Sequence, residues 1–279
     1  MHATRKLWTW LAAICVLSFA VLGWVGTDIY VKAPPIPQQV VSAKGEVLFS
    51  GEQIQHGQEA WLSAGGQQLG SVWGHGSYLA PDWSADWLHR EALALREIWA
   101  QRDYGKSFER LDIGQQAQLN GLLKAEMRNN THDAKNGTLT LSKERAAAVQ
   151  QLVQHYTGLF GDDKSQDALR EQYAMIGGSL KQPADQQALA AFFFWSAWAA
   201  TTDRPGESGL SYTSNWPHEP LVGNTPTASI GIWSIASVIL LIAAIAGMIF
   251  YNSTVREEAD PVPPKDDPLF SLKPTPSMQ

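Results

Sequence analysis

The chain has 279 residues, a net charge of −6, 44% apolar and 17% charged residues. That length accommodates one or two globular domains, and so low a charged fraction points toward membrane contact. The acidic balance excludes a duplex-binding surface, so no nucleic acid partner is expected; the single cysteine, Cys15, excludes an intramolecular disulfide, a zinc finger and a thiolate-held iron–sulfur cluster.

Arg5 and Lys6 precede an uncharged run from Leu7 to Thr27. Its roughly 21 residues can cross ~30 Å of hydrocarbon and exceed the roughly 7–15 of a signal-peptide core. Trp8, Trp10, Trp24 and Tyr30 sit near its ends like an interfacial belt. An uncleaved transmembrane anchor over 1–31 is therefore expected. Ala33-Pro34-Pro35-Ile36-Pro37 is a stiff exit from it.

Val40–Phe49 predicts a short strand pair around Gly45. Gly51–Leu62 predicts a helix with Ile54, Gln58 and Trp61 on one face, stopped at Gly65-Gly66. Ser71-Val72-Trp73-Gly74-His75 then has the outline of a c-type haem-attachment box. Cys-x-x-Cys-His supplies two thiols for thioethers and a histidine for iron. Ser71 and Gly74 stand at the thiol positions, and neither can form that bond.

Asp82 or Ser84 can cap a helix through Trp87, Leu88, Ala92, Leu95 and Trp99, closed by Tyr104-Gly105. Leu119, Leu122, Leu123 and Met127 mark another, before a polar Arg128–Gly137 loop. Ser142 caps a helix carrying Val149, Leu152, Val153, Tyr156 and Phe160, and a shorter helix follows to Met175. Ala188–Thr202 is apolar nearly all round yet too short to span a bilayer. It should be the central helix of the domain or lie in the interface. Asn215–Pro220 reads as a rigid extended link.

Ala228–Tyr251 is a second uncharged run of roughly 24 residues, long enough to span. Its small residues Ala236, Ala243, Ala244 and Gly247 leave room for another helix, a homodimer partner included, although small residues are common in such helices. The positive-inside rule places Arg5 and Lys6, and with them both termini, in the cytoplasm. The expected organisation is anchor 1–31, extracytoplasmic domain 32–227, second span 228–251 and a proline-rich tail 252–279 containing Pro261-Val262-Pro263-Pro264. The fold class is mostly α, a helical extracytoplasmic domain between two transmembrane helices.

None of the seven histidines forms a metal-binding pair at helical spacing. His75 is the candidate haem ligand, with Met175 as its partner; a hydrogen bond to a neighbouring loop is the preferred alternative. His56 and His89 read as surface or packing residues. Asp82, Asp86 and Glu91 near His89 suit helix-start capping better than acid–base work. The tryptophans between Trp73 and Trp87 suit a core better than a ligand stack. No catalytic or metal-binding residue is assigned. A two-span receptor with an extracytoplasmic ligand-binding domain is the alternative function, though its tail is short for an effector. A membrane-anchored electron carrier would require haem.

The stretches SGEQIQHGQEAW, GSVWGHGSYLAPDWSADWLHREA, NGTLTLS, AFFFWSAWAATTDRPG and SYTSNWPHEPLVGN resemble the N-terminal part of the quinol-dependent nitric oxide reductases. These are single-chain members of the haem–copper oxidase superfamily that serve denitrification. The resemblance implies a cytochrome-c-like extracytoplasmic domain without haem, in a bacterial inner membrane, joined to a catalytic helix bundle. It implies haem b, haem b3 and a non-haem iron in the complete enzyme, held on later helices, and no cofactor in this chain. The bundle would then come from further sequence of a truncated product or from a separate partner chain. The role expected of this portion is membrane anchor and structural cap, inactive alone.

Overall fold

Polar caps start four helices of the domain, whereas the apolar helix expected from Ala188 opens on Pro183, five residues earlier, without a side-chain cap. Ser50 accepts from Gln53 N while the Gln53 side chain answers Ser50 N, a reciprocal capping box that opens α2, Gly51–Ser63. Asp82, not Ser84, caps α3, Trp83–Tyr104, and Gly105 closes it at φ 61°. Asp112 caps α4, Ile113–Arg128, and Ser142 caps α5, Lys143–Phe160. A short α6, Asp167–Gln172, precedes α7, Pro183–Thr201. The computed structural model describes residues 2–74 and 80–254. His75 and the tail beyond Thr254 lie outside the described residues.

α7 is the centre of the domain. Phe193, Phe194 and Trp198 have no exposed surface, and α2, α3 and α5 all pack on this helix. Its apolar character all round follows, since each face meets another element. Full burial of one such side chain contributes about 1.5–3 kcal/mol.

The closest approach is to α2. A Cβ on Gly57 would overlap the Ala188 carbonyl and lie 2.7 Å from Phe192 Cβ. The buried face of α2 is accordingly Ile54, Gly57, Ala60 and Trp61, and Gln58 is exposed. The expectation for Gln58 fails because the contact is made through a residue without a side chain. Leu122 on α4 is likewise 41% exposed, and the buried stripe there is Leu119, Leu123 and Met127.

Strands contribute more than periodicity indicates. β1, Gln39–Ser42, pairs antiparallel with β2, Val47–Ser50, as the strand pair expected around Gly45. β1 also runs parallel to β4, Thr138–Leu141, which pairs with β3, His132–Asp133, in the order β2-β1-β4-β3. Val40 sits opposite Leu139, both fully buried. The segment read as a polar loop thus carries an edge strand. α6 ends at Gln172, before Met175, and Ala174 follows in the left-handed region at φ 52°.

α1, His2–Val31, contains an apolar stretch Trp8–Val31 of 24 residues at mean hydropathy 2.0, none of it buried. α8, Ala228–Thr254, has 27 residues at mean hydropathy 2.5, again with none buried. Each is long and apolar enough to cross a membrane. The chain divides into a unit ending at Pro226 and a second beginning at Thr227 that contains α8.

Candidate functional site: a haem-box turn without thiols

The Gly70–Gly74 turn is held by the start of α3. Ser71 N donates to Pro81 O at 3.0 Å, and Trp83 N donates to Ser71 O at 2.8 Å. Asp82, having capped α3 through Ala85 N, also accepts from Ser71 Oγ at 2.8 Å and from Gly74 N at 2.5 Å. Ser84 Oγ donates to the same carboxylate and accepts from Trp73 N at 2.9 Å. One carboxylate thereby satisfies the donors of both the turn and the helix N-terminus. Trp73 and Gly74 are both left-handed, at φ 56° and 76°.

The thiol positions are spoken for by other chemistry. Ser71 is buried with its hydroxyl engaged. A Cβ on Gly74 would lie 2.8 Å from Trp216 Cε2, inside the indole envelope. Trp73 packs on Trp195 with centroids 5.4 Å apart and donates from Nε1 to Ser196 O at 2.8 Å.

Beside the turn lies a dense aromatic interior. Trp83 stacks on Phe193 at 5.3 Å and meets Phe160 edge-on at 5.1 Å; Trp87 stacks on Tyr156 at 4.9 Å. Trp83, Trp87, Tyr156, Phe160 and Phe193 are all fully buried. Trp83 Nε1 is buried without a hydrogen-bond partner, while the other polar tips on this cluster are paired. Tyr156 Oη and Tyr173 Oη donate to Asp86 at 2.7 and 2.9 Å, and Arg90 Nε donates to it at 2.9 Å. Burial first, then the Asp86 charge, pushes the Tyr156 phenol well above its ordinary range. Glu91 accepts from Trp87 Nε1 and Arg145 Nε. Asp82, Asp86 and Glu91 thus cap, bridge and pair, and none of these bonds goes to His89.

The described histidine side chains are dispersed. His56 Nε2 meets Asp185 at 2.8 Å, and His89 Nδ1 meets Glu219 at 2.8 Å. His218 Nδ1 bonds Asn224 O at 3.0 Å, His132 packs on Trp198, and His155 meets the Tyr156 ring edge-on. Burial lowers the pKa of both His132 and His155. Among the described residues no three His, Cys, Asp or Glu side chains converge to hold a metal ion. Met175, the partner considered for His75, is buried.

A hub that periodicity did not mark is Arg128, the last residue of α4. Its guanidinium donates to Asp203 at 2.7 Å, Asn215 at 3.1 Å and Gly223 O at 3.0 Å. Asn215 in turn accepts from Ser211 N, and Asn224 donates to Pro217 O at 2.6 Å. The stretch read as an extended link is instead a folded knot: Ser214 and Asn215 have φ of 55° and 65°, Trp216-Pro217 is cis, and Glu219 pairs with Asn224. Buried side-chain bonds between distant residues build it, and local sequence does not announce those.

Covalent haem does not fit these residues. Thioether formation needs two thiols, and the one cysteine, Cys15, lies in α1. The side chains beside the turn interlock with one another, leaving ring centroids about as close as aromatic packing permits. Fold and site define a class: a helical, cytochrome-c-like domain without attachment chemistry, flanked by two apolar helices. A family model described as the cytochrome c-like domain of the nitric oxide reductase NorB matches residues 37–218. That is more than half of the chain, and the chain belongs to this family. No curated protein matches it.

Proposed function

We propose that this chain is the N-terminal, non-catalytic portion of a quinol-dependent nitric oxide reductase, acting as membrane anchor and structural cap. In the complete enzyme the reaction is 2 NO + 2 e⁻ + 2 H⁺ → N₂O + H₂O. Haem b, haem b3 and a non-haem iron would supply its redox chemistry from a catalytic helix bundle outside this chain's own residues. The observation that carries the reading is a matched cytochrome-c-like domain, thiol-free at its box, set between two apolar helices. If electrons arrive from quinol within the membrane, a soluble haem relay is dispensable.

The residues here would then hold shape. Residues 1–31 and 228–251 anchor, 32–227 form the periplasmic cap, and 252–279 continue on the cytoplasmic side. Arg128 fastens α4 to the knot through which the chain leaves the cap, so the knot is held as part of the cap. Membrane lipid is the first partner and the catalytic bundle the second.

Spectra and topology test this together. The purified chain should show no Soret band and consume no nitric oxide with a quinol donor. Alkaline phosphatase fused after Lys135 in bacteria should be active, and after Thr254 inactive. A red protein, unaided turnover or the reverse fusion pattern overturns the reading.

A further inference from the structure

The chain enters and leaves the domain beside the same tryptophans. Trp195 Nε1 donates to Pro35 O at 3.0 Å, and Trp195 packs on Trp73 at 5.4 Å. Gly74, next in sequence, lies against the Trp216 indole. The entry segment 33–37 and the exit knot around Trp216 therefore border one patch. Two large apolar side chains protrude there, Ile36 and Trp216, each 39% exposed.

The tethers from this patch to the apolar helices are short. Pro35 follows the last residue of α1, Val31, by four residues, and Ala228 opens α8 four residues after Asn224. A chain extends at most ~3.6 Å per residue, so neither tether exceeds about 14 Å. Residues 33–37 and 213–217 carry no charge. Of the acids beside this patch, Glu219 is largely buried with its carboxylate on His89 and Leu221 N, Asp82 is engaged by the turn and the start of α3, and Glu52 is exposed near Ile36. Tryptophan, with an apolar body and one N–H, is the side chain that concentrates at the lipid–water boundary.

We propose that the end of the domain carrying Ile36 and Trp216 lies in the headgroup zone of the bilayer, with the Trp216 indole and the Ile36 side chain inserted among the lipids. This rests on the reading of α1 and α8 as membrane spans. It adds a contact surface and its partner, a lipid surface, to the domain itself.

Nitroxide accessibility separates the possibilities. In the full chain bearing Cys15→Ser, single labels go on Ile36→Cys, Trp216→Cys, Ile113→Cys and Leu240→Cys. Ile113 is 87% exposed at the start of α4, beside the far end of α3, and Leu240 lies mid-way along α8. After reconstitution in phosphatidylcholine–phosphatidylglycerol nanodiscs, relaxation by oxygen and by a water-soluble nickel chelate is compared. The expected oxygen-to-nickel ratio at positions 36 and 216 is several-fold above that at 113 and below that at 240. Positions 36 and 216 matching 113 would overturn the proposal, as would protection from both reagents, which means a protein covers the patch. A water-accessible label at 240 instead sinks the membrane-span reading. Trp216 also packs on Gly74, so if Trp216→Cys fails to fold, the Ile36 label decides alone.

Discussion

Arg145 Nε donates to Glu91 Oε1 at 2.7 Å across the α3–α5 interface, with both side chains essentially without solvent. Trp87 Nε1 occupies the other carboxylate oxygen at 2.9 Å. A buried pair gains little over a well-packed apolar replacement, but removing one partner strands the other charge in a low dielectric. Arg145→Met should therefore cost about 3–5 kcal/mol, read as a large fall in the melting midpoint of the detergent-solubilised chain. Glu91→Leu with Arg145→Met should recover much of that, short of about 1–3 kcal/mol for the orphaned Trp87 N–H. An Arg145→Met protein melting with the wild type would mean that the pair holds nothing.

Two of the helical glycines, Gly57 and Gly121, should respond oppositely to alanine. Gly57 faces the Ala188 carbonyl, so a methyl there forces α2 off α7. Overpacking of this kind costs about 1–3 kcal/mol or more. Nothing lies within 4 Å of a Cβ at Gly121, which is exposed within α4. Gly121→Ala should stabilise by about 0.4–1 kcal/mol through the unfolded chain. Melting curves of the two variants, measured together, check the sign of each.

These cases show what the sequence discloses. Caps and periodicity are local, so α5 begins where Ser142 announces it, α3 begins at one of the two caps offered, Asp82 or Ser84, and α2 begins at Gly51 as its periodicity indicates. The apolar Phe192–Trp195 run marks the central helix for the same reason. Gly57 carries no side chain to register in a hydrophobic pattern, and the parallel β1–β4 ladder joins residues about a hundred apart. Arg128 looks like an ordinary C-terminal cation until Asp203, Asn215 and Gly223 close around it. In the box, the missing thiols were legible, while the indole that fills the space over Gly74 came from a segment read as a linker.

Two histidines give pH dependences of opposite sign. Hydrogen bonds to Asp185 and then Glu59 raise the His56 pKa above its ordinary 6.5. The folded state holds that proton more tightly, so this contribution is full below about pH 6.5 and lost as pH rises through the raised folded value. His155 is lowered, by burial first and by Arg90 next, and its Nε2 is buried without a hydrogen-bond partner. Its contribution is full above about pH 6.5 and lost as pH falls toward the depressed folded value. His56→Gln should destabilise in mild acid and leave alkaline stability unchanged. His155→Leu should flatten the acid-side loss. Urea titrations across that range would contradict both assignments if the variants paralleled the wild type.

Restoring the thiols should not restore a cytochrome. Ser71→Cys removes the hydroxyl that donates to Asp82 and places a larger sulfur in a buried turn. Gly74→Cys is worse, because φ 76° disfavours any L side chain by about 1–2 kcal/mol and its Cβ meets the Trp216 indole. Even a folded double variant would present thioether positions to an interior already filled by Trp83, Phe160 and Phe193. Expressed with a c-type maturation system, the double variant should show no haem-associated peroxidase stain on a denaturing gel and a lower melting midpoint. A covalent haem band would mean that the aromatic interior yields to the cofactor, and that lost thiols alone keep the domain colourless.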